Sequence, residues 1–160
     1  MKRPAPIDYQ QDRVYGFENA VVEPIAHFLL SRGDIAALVD RLCRLTGTPV
    51  PEIRYRGSTD LPCRAIVGGG AYRLEIADWG RTPPVVIHEC AHLGQYADPE
   101  GRAELRAGVH HGPVFVRMAI DLYVMFMNVE VDALERLATA HGIVFAPRRV
   151  VTTNFSSVVF

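Results

Sequence analysis

Lysine is almost missing from this sequence: Lys2 is the only one, and the rest of its 17 cations are arginine. A GC-rich genome explains that bias more simply than a series of selected bidentate contacts. A charge excess is missing too, since Lys+Arg 17 against Asp+Glu 18 gives a formal net charge of -1. That leaves no global electrostatic footprint for nucleic acid. Cysteine is scarce: Cys43, Cys63 and Cys90 form no CxxC pair, which excludes a disulfide framework and a zinc ribbon and implies reduced thiols. No apolar run approaches the roughly 20 residues of a membrane span. The longest, over 114–129, is broken by Arg117 and Asp121. The opening MKRPAPIDYQQD turns polar and proline-rich where a secretory signal needs an apolar stretch, so a cytoplasmic location is expected.

What is present is an ordinary globular composition, 49% hydrophobic and 22% charged over 160 residues. No repeat or linker divides it, so residues 1–160 read as one domain, with 1–11 a flexible arm and 143–160 a C-terminal tail. From Asp12, a plausible N-cap, to Ser31 the pattern reads as helix, kinked or split at Pro24 and ended by Gly33. A second helix starts at Asp34, carries Ile35, Leu38, Val39, Leu42 and Leu45 on one stripe, and stops at Gly47. Between Pro49 and Trp79 the period changes to two, predicting strands around Ile53–Tyr55, Cys63–Val67 and Ala71–Ala77, the last two joined by the triple glycine 68–70. Thr82-Pro83 predicts a helix start, and a helix to about Ala97 follows. Residues 98–110 read as a loop with at most one helical turn. A strongly apolar helix then runs from Pro113 to about Asn128, and a last one from Val131 to His141 ends at Gly142. An edge strand is expected around Arg149–Thr152.

Within the helix opened by Pro83 stand His88, Glu89, Cys90, Ala91 and His92, an HExxH motif. The composition of the chain produces this pattern by chance only about once in a hundred such sequences, and its helical context makes coincidence rarer. Histidines four apart lie one turn apart on one face, close enough to share a zinc ion. Glu89, beside the first of them, is placed to take the proton of a water that attacks a polarised carbonyl and to pass it to the leaving amine. Val86, Cys90, Leu93 and Ala97 form an apolar stripe on the opposite face, so Cys90 points to the core and is not a ligand.

A catalytic zinc needs a third protein ligand. Gln95 and Asp98 occupy the places where a metzincin carries glycine and histidine, which excludes that class. Glu100, Glu104, Glu130, His110 and His111 remain as candidates. His27 and His141 read as surface or capping histidines.

HECAH followed nineteen residues later by HGPVF resembles the SprT/Spartan group of minimal zinc peptidases, and the chain is also similar to small metallohydrolases of actinobacteria and their phages. The resemblance implies His88, His92 and His111 as zinc ligands and Glu89 as the catalytic base. A ligand that opens a packed helix is also better held than one inside a loop. The implied fold is α+β and zincin-like: N-terminal helices, a small, mostly antiparallel sheet, the motif helix and a buried C-terminal helix. The implied function is a zinc metallopeptidase acting on a peptide or protein. In such enzymes the strand before the motif helix is the sheet edge that pairs with substrate, which here points to Ala71–Ala77. The zinc ribbon or basic tail of members linked to protein–DNA crosslinks is lacking. Two rival readings stand beside it, a zinc-stabilised binding module without turnover and a zinc hydrolase of a small non-peptide amide. Trp79 reads as core filling near the site or, alternatively, as the wall of a specificity pocket, Arg117 and Asp121 as an i,i+4 pair, and Asp121 alternatively as a partner orienting a zinc histidine. Tyr96, Tyr123 and Arg81 are the candidates for stabilising an oxyanion.

Overall fold

The computed structural model describes residues 8–57 and 60–149. They form an α+β arrangement of six α-helices and a three-stranded mixed sheet: α1 (Gln11–Phe17), α2 (Arg32–Thr46), β1 (Glu52–Arg56), β2 (Arg64–Gly68), β3 (Ala71–Ala77), α3 (Pro83–Ala97), α4 (Pro99–Arg106), α5 (Pro113–Met127) and α6 (Val131–Ala140). No helix among the described residues is long and apolar enough to cross a membrane.

The expected first helix is split, and the break comes before Pro24. After Phe17 the backbone widens into a π-helical turn, Glu18–Val22, and then tightens into a 3₁₀ turn, Glu23–Ile25, that holds Pro24. Asp12 is not the N-cap; that position is Gln10. Gly33 does not end a helix but lies in the first turn of α2. Ser31 caps that helix through a capping box with Asp34, a reciprocal pair of bonds at 3.1 and 3.2 Å worth about 1 kcal/mol. The start of the expected flexible arm, 1–7, lies outside the described residues. Its end is anchored, because the fully buried Gln10 side chain donates to the carbonyls of His111 (2.6 Å) and Val144 (3.0 Å) and accepts from the Val144 N–H (3.0 Å).

The sheet order is β1-β3-β2, with β1 parallel and β2 antiparallel to β3. The sheet is therefore mixed, and Ala71–Ala77 is its central strand instead of its edge. Gly69 and Gly70, both at positive φ (59° and 82°), make the two-residue turn that joins β2 to β3, as the triple glycine predicts. Leu74 and Ile76 turn inward, while Arg54, Arg64 and Glu75 share the outer face.

Helix α3 is the centre of the molecule and packs against α2, α4, α5 and β2. Val86, Cys90 and Leu93 are buried as expected, whereas Ala97, its last residue, is exposed. All three cysteines are free thiols. Residues 98–110 are not a loop: Pro99–Arg106 form α4, capped by the Asp98 carboxylate on the N–H groups of Glu100 and Gly101 (2.8 and 3.1 Å). Asp98-Pro99 is the same kind of start signal as Thr82-Pro83. Arg117 and Asp121 pair at 3.2 Å, and Glu135 of α6 joins them at 2.8 Å. The edge strand expected at 149–152 falls almost wholly outside the described residues.

Gly94 lets α5 approach α3, since a Cβ there lies 2.8–2.9 Å from three side-chain atoms of Met118. Gly94→Val therefore overpacks this seam and lowers stability by about 2 kcal/mol, within the usual cost of added bulk in a filled core. Denaturant unfolding against the parent measures it.

Candidate metal centre

The three histidines singled out by the motifs converge. Their ring nitrogens form a cluster in which one atom of each lies within 4.8 Å of the others, and Nε2 of His88 is 3.4 Å from Nε2 of His111. His88 and His92 come from successive turns of α3, and His111 stands just before α5. Phe115, one turn into α5, supports all three imidazoles from below, with ring centroids 5.0, 4.3 and 4.9 Å from His88, His92 and His111. This gives the phenylalanine of HGPVF a physical role, because an apolar floor fixes the ring planes without competing for their nitrogens.

Each imidazole is also held from behind. His88 Nδ1 faces both carboxylate oxygens of Glu18 at 2.8 and 2.9 Å, and Glu18 in turn accepts a 2.7 Å bond from the hydroxyl of the fully buried Tyr123. His111 Nδ1 lies 2.6 Å from Asp8 Oδ2, which also accepts the His111 backbone N–H. His92 Nδ1 lies 3.4 Å from Gln95 Oε1. The Gln95 amide is oriented by its other end, which donates to Glu104 (3.0 Å) and to the Val109 carbonyl (3.3 Å). With Nδ1–H committed to an acceptor on every ring, the free lone pairs of the neutral imidazoles are on Nε2, and these face one another. Such lone pairs repel unless a cation lies between them. An all-nitrogen set of this kind suits zinc and other borderline transition metals, not the oxygen-seeking magnesium or calcium.

Without a metal a proton takes that place. Burial works to lower the pKa of His88, but the Glu18 carboxylate outweighs it and holds it up at about 9. His92 is driven well below its ordinary value by burial and by the charge on His88, and His111 is lowered by the same two causes against the pull of Asp8. Glu89, buried beside them, has its pKa raised by desolvation, which makes its carboxylate a stronger base; the His88 charge and the Ala65 backbone N–H partly offset this.

Glu89 opens onto a cleft of about 1050 Å³ bounded by β2, α1 and α4. A second hollow of about 430 Å³ shares Tyr15, Cys63, His88 and Glu89 with it and continues under Trp79. Trp79 is thus not core filling: it is 49% exposed, donates to the Leu61 carbonyl at 2.8 Å and walls this hollow. Cys63 borders the site as well, but burial pushes its thiol up to about 11, so it stays protonated.

The remaining candidates go elsewhere. Glu104 accepts the Val114 N–H in the first turn of α5 (3.0 Å) and orients Gln95. Glu100 pairs with Arg149, Glu130 stands at the N-cap position of α6 without a side-chain capping bond, and the exposed His110 lines the cleft outside the cluster. His27 pairs with Glu23 on the surface, and His141 closes α6 with its ring against Phe17. Asp121, engaged with Arg117, orients no histidine; that work falls to Glu18 and Asp8. Tyr123 is committed to Glu18, and Arg81 donates to the Leu30 carbonyl at 2.8 and 3.0 Å, so neither is free for an oxyanion.

Sequence reasoning missed Asp8, Glu18, Gln95 and Tyr15. Only Glu18 left a signal, a lone carboxylate inside the apolar stretch Phe17–Val22. Tyr15 packs its ring 5.1 Å from His111 and 5.7 Å from His88. No protein-family model, curated protein or solved structure matches this chain.

Two outcomes follow from the geometry. Glu18→Ala and Asp8→Ala each weaken zinc binding about 10–100-fold with the ligands intact, as read by competition with a chromogenic chelator. A zinc ion entering the cluster would have to displace the proton that Glu18 favours on His88, whose pKa is held up at about 9, so affinity is expected to rise about tenfold per pH unit up to that value and level off above it. Titration calorimetry at pH 7 in buffers of different ionisation heat detects the proton released.

Proposed function

We propose that this protein is a zinc-dependent metallopeptidase of minimal zincin-like build, the class its motifs resemble. The observation that carries this reading is the convergence of His88, His92 and His111, each pinned through its far nitrogen, next to a buried carboxylate that takes no part in holding them. A structural metal needs no base, which weighs against a binding module without turnover. A small amide needs only a closed pocket, whereas the hollows here run past Glu89 on both sides.

The three histidines hold zinc, which when bound supplies Lewis acidity toward water and toward a substrate carbonyl. Glu89 removes a proton from the attacking water as the new C–O bond forms. It then gives that proton to the amide nitrogen as the C–N bond breaks, so the amine leaves neutral. The raised pKa of Glu89 suits both steps. Tyr15 is placed to donate to the carbonyl oxygen as it gains charge. Its hydroxyl accepts from Gln11 Nε2 at 3.2 Å, while its own proton has no acceptor among the described residues. Tyr96 also lines the cleft but makes no ring contact with the three histidines. The side of β2 away from β3 has no strand partner among the described residues and borders the cleft, so an extended backbone pairs there instead of on Ala71–Ala77.

Glu89→Gln is expected to keep zinc and lose about 10²–10⁴-fold in kcat on a peptide library, and His111→Ala to lose zinc itself. Tyr15→Phe keeps zinc and KM while kcat falls by about 10²-fold, the usual cost of one oxyanion donor. Elemental mass spectrometry and steady-state kinetics on the same preparations decide it: hydrolysis by Glu89→Gln at the parent rate, or a parent that takes up no zinc when supplied with it, refutes the reading.

A further inference from the structure

The cleft is electrically lopsided. On one side of Glu89 it is lined by Arg64 of β2 and by Arg102 and Arg106 of α4. On the other it is lined by Glu23, Pro62, Trp79 and Val85. Arg64 belongs to a cluster with more cations than anions: Arg56, Arg64 and Arg73 all pair with the single, nearly buried carboxylate of Glu75, at 3.3, 2.8 and 3.2 Å. One carboxylate neutralises one guanidinium, so this end of the sheet keeps an excess of positive charge. Arg102 spends a single nitrogen, Nη1, on the uncharged carbonyls of Tyr96 and Ala97 (3.1 and 2.8 Å), which fixes its position without cancelling its charge. Arg106 is exposed and forms no ion pair among the described residues. The carboxylates on this side, Asp8 and Glu89, lie at the histidine cluster, Asp8 bonded to His111 through one oxygen, and away from the three arginines.

We propose that the side of the cleft bounded by Arg64, Arg102 and Arg106 binds the acidic half of an extended peptide, and that the side under Trp79 takes its apolar half. The substrate is then cut where an acidic stretch meets an apolar one. This rests on the peptidase reading above. A peptide fits better than a nucleic acid for two reasons. The cations line the same cleft as the unpaired edge of β2, which matches an extended main chain. A phosphate backbone continuing past Glu89 would meet Glu18 and Glu23, whereas a peptide changes its side chains from residue to residue.

The test uses the full-length, zinc-loaded protein and its Glu89→Gln variant. The probes are two fluorescein-labelled peptides that share a Leu-Phe half and carry either a block of glutamates or a block of glutamines in the other half. The Glu peptide is expected to bind Glu89→Gln about tenfold tighter at about 0.05 M salt and only about twofold tighter at about 0.5 M, because surface charges are screened over a few ångströms there. The parent cleaves it with a correspondingly higher kcat/KM. Arg106→Glu, a change at an exposed position without an ion pair among the described residues, removes the preference in binding while zinc content stays at the parent level. Equal binding of the two peptides overturns the proposal. So does a single-stranded DNA oligonucleotide that binds more tightly than the Glu peptide, which assigns these arginines to nucleic acid. Selective binding without cleavage of either peptide by the parent refutes the peptidase reading instead, and leaves the acidic peptide a ligand of the cleft and not a substrate.

Discussion

Each of the three clustered imidazoles has an acceptor behind its Nδ1, and these contacts organise the molecule. Glu18 answers His88, Asp8 answers His111, and Gln95 answers His92. The most consequential of these is Glu18. Its carboxylate is bound at once to α3 through His88 and to α5 through Tyr123, and it stands at the first residue of a π-helical turn. Wide turns of that kind recur at functional sites. A carboxylate buried there without His88 and Tyr123 would carry a heavy desolvation cost, so the fold and the site depend on the same contact.

The elements around it are arranged to hold those acceptors still. Gln10 staples the start of α1 to the His111 carbonyl and to Val144, which keeps Asp8 in reach of His111. Glu104 links α4 to the first turn of α5 and sets the direction of the Gln95 amide. Phe115 closes the apolar side of the cluster. Helix α4 thus serves twice, bracing through Glu104 the first turn of α5 that follows His111 and presenting Arg102 and Arg106 to the cleft.

The strand order changes how substrate binding is understood. With Ala71–Ala77 in the centre, the free edge belongs to β2, whose Ala65 N–H reaches Glu89. The backbone that would align a peptide and the carboxylate that would cleave it are therefore neighbours. The same strand carries Arg64, so on the proposed reading edge pairing and charge selection would act on one stretch of substrate.

Much of this was legible in the linear pattern. Thr82-Pro83 and the period of residues 83–97 place the motif helix, Pro113 and the apolar run place α5, and three glycines place the hairpin, because each signal is local and acts through the backbone of its own segment. HExxH spacing alone puts His88 and His92 on one face. The order of the strands was not legible, since β1 reaches β3 across a crossover that alternation of side chains does not encode. Nor were Glu18 and Asp8, which lie 70 and 103 residues from the histidines they hold. A ligand pair on a helix needs a fixed spacing; a hydrogen-bond partner needs only to arrive, and any segment that packs nearby can supply it. The sequence by itself determined which helix carries His88, Glu89 and His92 and that the two histidines share one face of it. The tertiary structure alone decided which acceptors tune them, which strand edge faces them and where the unpaired charge falls, because those depend on distances between segments that meet only when the core closes.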